Sequence, residues 1–163
     1  MIKPKVRNLR ILVTGSRSYN NSSAILGVLA NTAAEIWFAE AKAEFGAEAM
    51  KDVDMVEAVR LSFATITAVH GDCPTGADSV VRKSIARGEA AQAATGEHFM
   101  WRQERHPADW KTLGRRAGPM RNKKMVELGA DVCVAFISKD SKGAAGCANM
   151  AERAGIRTIR IEV

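Results

Sequence analysis

Five basic side chains, Arg115, Arg116, Arg121, Lys123 and Lys124, crowd the stretch LGRRAGPMRNKKMVELG (113–129). It reads as a helix that starts at Gly118-Pro119 and stops at Gly129. A helix N-terminus carries partial positive charge, so each cation in its first turn costs a few tenths to about 1 kcal/mol. A bound phosphate would reverse that sign. Asn122, in the same turn, offers a donor and an acceptor to a base or sugar. Without a ligand the same side chains would splay into water, their repulsion screened within roughly 10 Å.

Three glycine-bearing loops carry compatible chemistry. In TGSR (14–17), Gly15 allows a tight turn and close approach, Ser16 adds a hydroxyl and Arg17 a forked cation. Backbone amides between a strand and a helix point at anions. The alternative is an ordinary turn with an exposed arginine. In HGDCPTGAD (70–78), Gly71 and Gly76 frame a loop that Pro74 stiffens, and Thr75 can cap the following helix. Asp78 in its first turn is either a carboxylate favoured by the helix dipole, a ribose-hydroxyl contact, or a general base. In SKGAAG (141–146), Gly143 and Gly146 permit close approach, and free amides could hold a second phosphate. Close helix-to-sheet packing wants the same small residues. Trp101 and Trp110 flank His106-Pro107; they either stack a base or cover the sheet edge, and packing is the commoner use of tryptophan. A full G-x-G-x-x-G is absent, which weighs against a dehydrogenase.

The elements that must position these loops follow from apolar patterning. Short apolar runs over 9–15, 65–71, 130–138 and 156–163 read as buried strands, and 97–105 as a weaker edge strand. Helical spacing covers 22–45, opened by a capping serine and interrupted at Gly46, then 48–63, 76–91, 119–128 and 143–155. Alternating strands and helices specify an α/β fold with a parallel sheet and helices on both faces. Ligands bind beyond the carboxyl ends of such strands, where the glycine-rich and polar loops of this sequence fall.

With 163 residues, 47% hydrophobic and 26% charged, the chain fits a single domain over 1–163. The net charge of +6 is concentrated: residues 101–125 hold eight Lys/Arg against two Asp/Glu. Residues 31–60 run the other way, with seven acids against three bases. A basic segment implies an anionic partner. Three scattered cysteines and three histidines form no metal-ligand or disulfide pattern. No run of about 18 apolar residues or signal-peptide pattern stands out, so the expectation is a cytoplasmic protein with no membrane partner.

Taken together, ILVTGSR, VHGDCPTGAD, RHPADW…GRRAGPMRN, ADVCVAF and SKGAAGCANMAERAGI resemble the YspA-like (cpYpsA-related) branch of the SLOG superfamily. That superfamily includes the LOG phosphoribohydrolases and the DNA-processing protein DprA. The likeness covers 9–19 and 68–161, leaving an extra helix within 20–64. It implies a Rossmann-like three-layer sandwich, its five-stranded parallel sheet ordered 3-2-1-4-5. It also implies a pocket for a nucleotide or ADP-ribose-type ligand. The pocket residues it implies are Gly15, Ser16 and Arg17; Gly71, Gly76, Ala77 and Asp78; Arg116, Gly118, Pro119, Arg121 and Asn122; and Gly143. Two departures matter. Gly143-Ala144 stands where the family has Gly-Thr, removing a hydroxyl. The LOG glutamate has no counterpart until Glu152, about two turns late.

The resulting expectation is a nucleotide-binding protein whose phosphate sits between the 14–17 loop and the 115–122 helix start. If it is an enzyme, it hydrolyses a nucleotide's N-glycosidic bond with Asp78 as base. The alternative is a DprA-like single-stranded nucleic-acid binder. A third expectation is a homo-oligomer that pairs the acidic and basic segments of two copies.

Overall fold

The computed structural model describes residues 7–54, 58–59 and 63–163. It is an α/β sandwich around one parallel sheet. The strands are β1 (Arg7–Gly15), β2 (Phe63–His70), β3 (Trp101–Arg105), β4 (Val132–Ile137) and β5 (Arg157–Glu162), in the order β3-β2-β1-β4-β5. All four pairings are parallel. The expected α/β class and strand order are both present.

Burial explains the sequence pattern of each strand. Central β1 is covered on both faces, so Leu9, Ile11, Leu12 and Val13 are all fully buried, and the one charged residue among them, Arg10, is half-buried and paired with Glu104. The outer strands β3 (WRQER) and β5 (RTIRIE) lie at the edges, where charged residues are tolerated.

Helices α1 (Ser22–Phe45) and α2 (Gly76–Thr95) cover one face. Ile25, Leu29 and Trp37 of α1 and Val81 and Ile85 of α2 pack there on Ile11, Val13, Ile66 and Phe136. Helices α3 (Ala117–Glu127) and α4 (Lys142–Arg153) cover the other. Met125, Val126, Cys147 and Ala151 meet Leu12, Val69 and Cys133. By length and composition α1 could cross a membrane, with a mean hydropathy of 1.2. In the fold its apolar residues include the core positions just named.

Local chemistry moves several boundaries. Asn21, not a serine, caps α1: its Oδ1 accepts the Ala24 N–H at 3.1 Å. Thr75 precedes α2 but makes no side-chain capping bond. The expected helix over 48–63 opens as a single 3₁₀ turn, Glu48–Met50, followed by non-helical residues to Asp54. Ala58 and Val59 are helical; 55–57 and 60–62 lie outside the described residues. The helix expected to start at Gly118-Pro119 starts at Ala117. It follows one helical turn (Trp110–Leu113) and a 3₁₀ turn (Gly114–Arg116). Gly114 breaks the run with φ 51° and ψ −134°.

The chain winds from β1 outward through β2 and β3, then returns to β4 on the other side of β1. The carboxyl ends of β1 and β4 therefore border a topological switch point, where open α/β sheets leave a crevice. The Ser16 N–H donates to the Phe136 carbonyl at 2.8 Å and closes its floor.

Candidate functional site

A cavity of about 470 Å³ occupies that crevice. Its walls come from the loop after β1 (14–18), the start of α4 (140–146), the start of α3, Trp110, Cys73 and Asp78. A volume in the range of small-molecule sites at a switch point is the ordinary location for a ligand in this architecture.

The β1 loop is held from within. Ser16 is buried; its Oγ lies 2.8 Å from the Ser18 Oγ and accepts the Ser138 hydroxyl at 3.0 Å. Gly76, Ala77 and Gly15 make close approach possible. Gly76 has φ 71°, and a Cβ there would stand 2.1 Å from the Ser16 carbonyl. A Cβ on Gly15 would fall 2.6 Å from the Ala77 Cβ. Gly76 and Ala77, expected at the pocket, thus support its loop from below and do not line the cavity. Asp78 does line it: the carboxylate is buried, and its Oδ2 accepts the Cys73 N–H at 3.2 Å.

The basic cluster divides. Arg121 lines the cavity, but much of its guanidinium is committed to the fold. Its Nη1 donates to the Gly71 carbonyl and, at 3.3 Å, to the His106 carbonyl. Its Nε donates to the Asn122 Oδ1 at 2.8 Å, and the Asn122 Nδ2 donates to the Gly143 carbonyl at 3.1 Å. A Cβ on Gly71 would lie 1.7 Å from that Nη1, so a side chain there would displace the Arg121 guanidinium. The place of Gly71 is behind the cavity wall. Arg116, expected in the pocket, is exposed on the 3₁₀ turn outside the cavity, as is Arg115. The physical reason is the entry to α3. The 3₁₀ turn points those two cations to solvent, and the Ala117 N–H turns back to the Gly114 carbonyl. Gly118 and Pro119 line the cavity, but Pro119 has no N–H to give.

The start of α4 is different. The Ser141 hydroxyl is turned back, accepting the Ser138 N–H at 2.7 Å and donating to the Ser138 carbonyl at 2.8 Å. It makes no capping bond to the helix. The N–H groups of Gly143 and Ala144 meet no acceptor outside the helix among the described residues. Gly143 faces open space, with nothing within 4 Å of a Cβ placed on it. Lys142 and Arg17 line the same cavity. Two amides at the positive end of a 12-residue helix, in a cavity that cations also line, can hold an anion.

Thr14, Cys73, Trp110 and Lys142 also line the cavity, though sequence reasoning did not place them there. Lys142 immediately precedes the singled-out Gly143, and Cys73 sits inside the singled-out 70–78 loop, so position in those motifs was the available signal. Trp101, by contrast, packs against the core.

Behind the 70–78 loop lies a polar support. Buried His70 accepts the Asp72 N–H at its Nδ1 (3.2 Å), leaving its Nε2 3.2 Å from the Gln103 Oε1, which fixes Nε2 as donor. Burial lowers the His70 pKa, so the neutral ring is favoured. Asp72 adopts φ 53° and pairs with Arg105 at 2.7 Å and Arg82 at 3.0 Å. Burial pushes its carboxyl up, but these two arginines outweigh it and hold the pKa below the ordinary value. Burial, then the Asp78 charge, raises the Cys73 thiol. Burial pushes Cys133 to about 12 and Cys147 to about 11, leaving both as inert core thiols. Among the described residues no three His, Cys, Asp or Glu side chains converge as metal ligands.

No known family model matches the chain. No solved structure matches it either. Over 150 residues the chain is 31% identical to the Gene 61 protein of Mycobacterium phage D29, a match spanning 92% of this chain and 94% of that protein. At that identity and coverage, the chain belongs to the family of the phage Gene 61 protein.

Proposed function

We propose that this protein binds a nucleotide or nucleotide-derived ligand, ADP-ribose-type molecules included, in the switch-point cavity. One observation carries the reading: the uncapped start of α4 presents the Gly143 and Ala144 amides to a cavity that Arg17, Lys142 and Arg121 also line. An anionic group there offsets the helix dipole and completes amides that Ser141 leaves unmet. Buried Asp78, the acid among these cations, suits sugar hydroxyls. The resemblance of the loop motifs to the SLOG superfamily supports the same ligand class. Binding, rather than N-glycosidic hydrolysis, is the better supported function, because among the described residues the one other carboxylate on the cavity wall is the exposed Asp140.

The Gly143→Ala variant tests this. Space is open for the new methyl group, and alanine favours a helix, so stability should hold or rise by about 0.5–1 kcal/mol. Gly143 lines the cavity, so a methyl group added there should lower the stabilisation by a nucleotide. At a ligand concentration one hundred times its Kd that stabilisation is about 2.7 kcal/mol in the wild-type protein. Thermal shifts with nucleoside mono- and diphosphates and ADP-ribose read both effects. An undiminished shift in the variant moves the anion away from α4.

A second reading, single-stranded nucleic-acid binding, is favoured by the exposed Lys111, Arg115 and Arg116 beside Trp110, which carry no ion pair among the described residues. It requires affinity that grows with oligonucleotide length and falls steeply with salt.

A further inference from the structure

We infer that Trp110 is a base-stacking platform, and that the ligand therefore carries a planar heterocycle rather than being a phosphosugar. This rests on the nucleotide reading above and narrows it. Trp110 is 49% exposed, yet it lines the cavity that the α4 start also lines. An indole left open to water forgoes the burial that ordinarily places tryptophan. Trp101, nine residues earlier, is packed against the core.

The ring is also held in place. Asp109 caps the turn that carries it, its Oδ1 accepting the Thr112 N–H at 3.1 Å. The indole edge rests on Gly118: a Cβ there would approach Cη2 at 3.2 Å and Cζ2 at 3.8 Å. The Arg17 guanidinium lies over the ring, 5.7 Å from its centroid. A guanidinium is planar and is held by the electron-rich face of an aromatic ring, so that face already takes a flat partner. A purine or pyrimidine would displace Arg17 toward its phosphate and stack on the face so freed. A nucleotide could thus span the cavity, its base on Trp110 and its phosphate at Gly143 and Ala144.

Isothermal titration of AMP, GMP, CMP, UMP and ribose 5-phosphate into the wild-type, Trp110→Ala and Trp110→Phe proteins tests the inference. The best nucleotide should bind about tenfold or more tightly than ribose 5-phosphate, the gain expected of one stacked base. Trp110→Ala should abolish that gain, weakening the best nucleotide far more than ribose 5-phosphate; Trp110→Phe should keep most of it. Nucleotides, and not ribose 5-phosphate, should quench tryptophan fluorescence in the wild-type protein, with the quench lost in Trp110→Phe. Equal affinity for nucleotide and ribose 5-phosphate overturns the base platform while leaving the anion site standing. So does a Trp110→Ala variant that weakens both equally, because the ring is then a structural support. Absence of binding by all five probes at millimolar concentration overturns the base platform for mononucleotides and removes nucleoside monophosphates from the proposed ligands.

Discussion

The helices α3 and α4 both open onto the cavity, and they open in opposite ways. The α3 entry is rich in cations and poor in free amides: Ala117 turns back to Gly114, Pro119 has no N–H, and Arg121 is bonded to the Gly71 and His106 carbonyls. The α4 entry is nearly neutral in sequence, yet it leaves two N–H groups open because Ser141 bonds to Ser138 instead of capping the helix. Density of formal charge and availability for a ligand are therefore separate properties. A charged side chain can be committed to carbonyls of its own chain, while a backbone with no formal charge stays unsatisfied.

The sharpest way to break this comparison is Arg121→Ala. If that guanidinium is internal glue, its loss leaves the Gly71 carbonyl without its donor and should cost about 2–3 kcal/mol in urea denaturation. A loss of affinity at unchanged stability would instead return α3 to the role of anion receptor. A smaller effect comes from His70, behind the Gly71 carbonyl. Its folded-state pKa is lowered from the ordinary 6.5, mainly by burial, against the opposing pull of Asp78 and Asp72. The unfolded chain therefore takes up the proton first. This contribution is absent well above 6.5, and stability should fall as pH drops below that value, by at most about 1.4 kcal/mol per pH unit. His70→Gln, measured by denaturation between pH 7 and 5, should flatten that slope; a slope equal to wild type would assign it to other groups. The mildest expected change belongs to the double variant Arg115→Ala/Arg116→Ala. Exposed cations without ion partners among the described residues should shift stability by no more than about 0.5 kcal/mol and leave mononucleotide affinity within about twofold. A large loss of oligonucleotide affinity in that variant would favour the nucleic-acid reading.

The strands were legible because burial on both faces leaves apolar runs, as in β4, whereas their order 3-2-1-4-5 came with the family resemblance. The polar loops at the strand ends were legible for the complementary reason, since glycine marks close approach at Gly15 and Gly76. The orientation of the arginines was not. Arg121 is captured by a carbonyl fifty residues away at Gly71, a tertiary contact without a local signature. The shifted start of α3 depends on the backbone at Gly114, a glycine easily passed over beside two arginines. The two tryptophans share one sequence context, and only the third dimension sends Trp101 to the core and Trp110 to the cavity.

The hydrogen-bonded series Gly71–Arg121–Asn122–Gly143 has a mechanical meaning. It acts as a strut along the cavity wall, from the end of β2 to the first turn of α4. A molecule that seats against α4 tightens one end of that strut, so Gly71, which does not line the cavity, should stiffen at a distance.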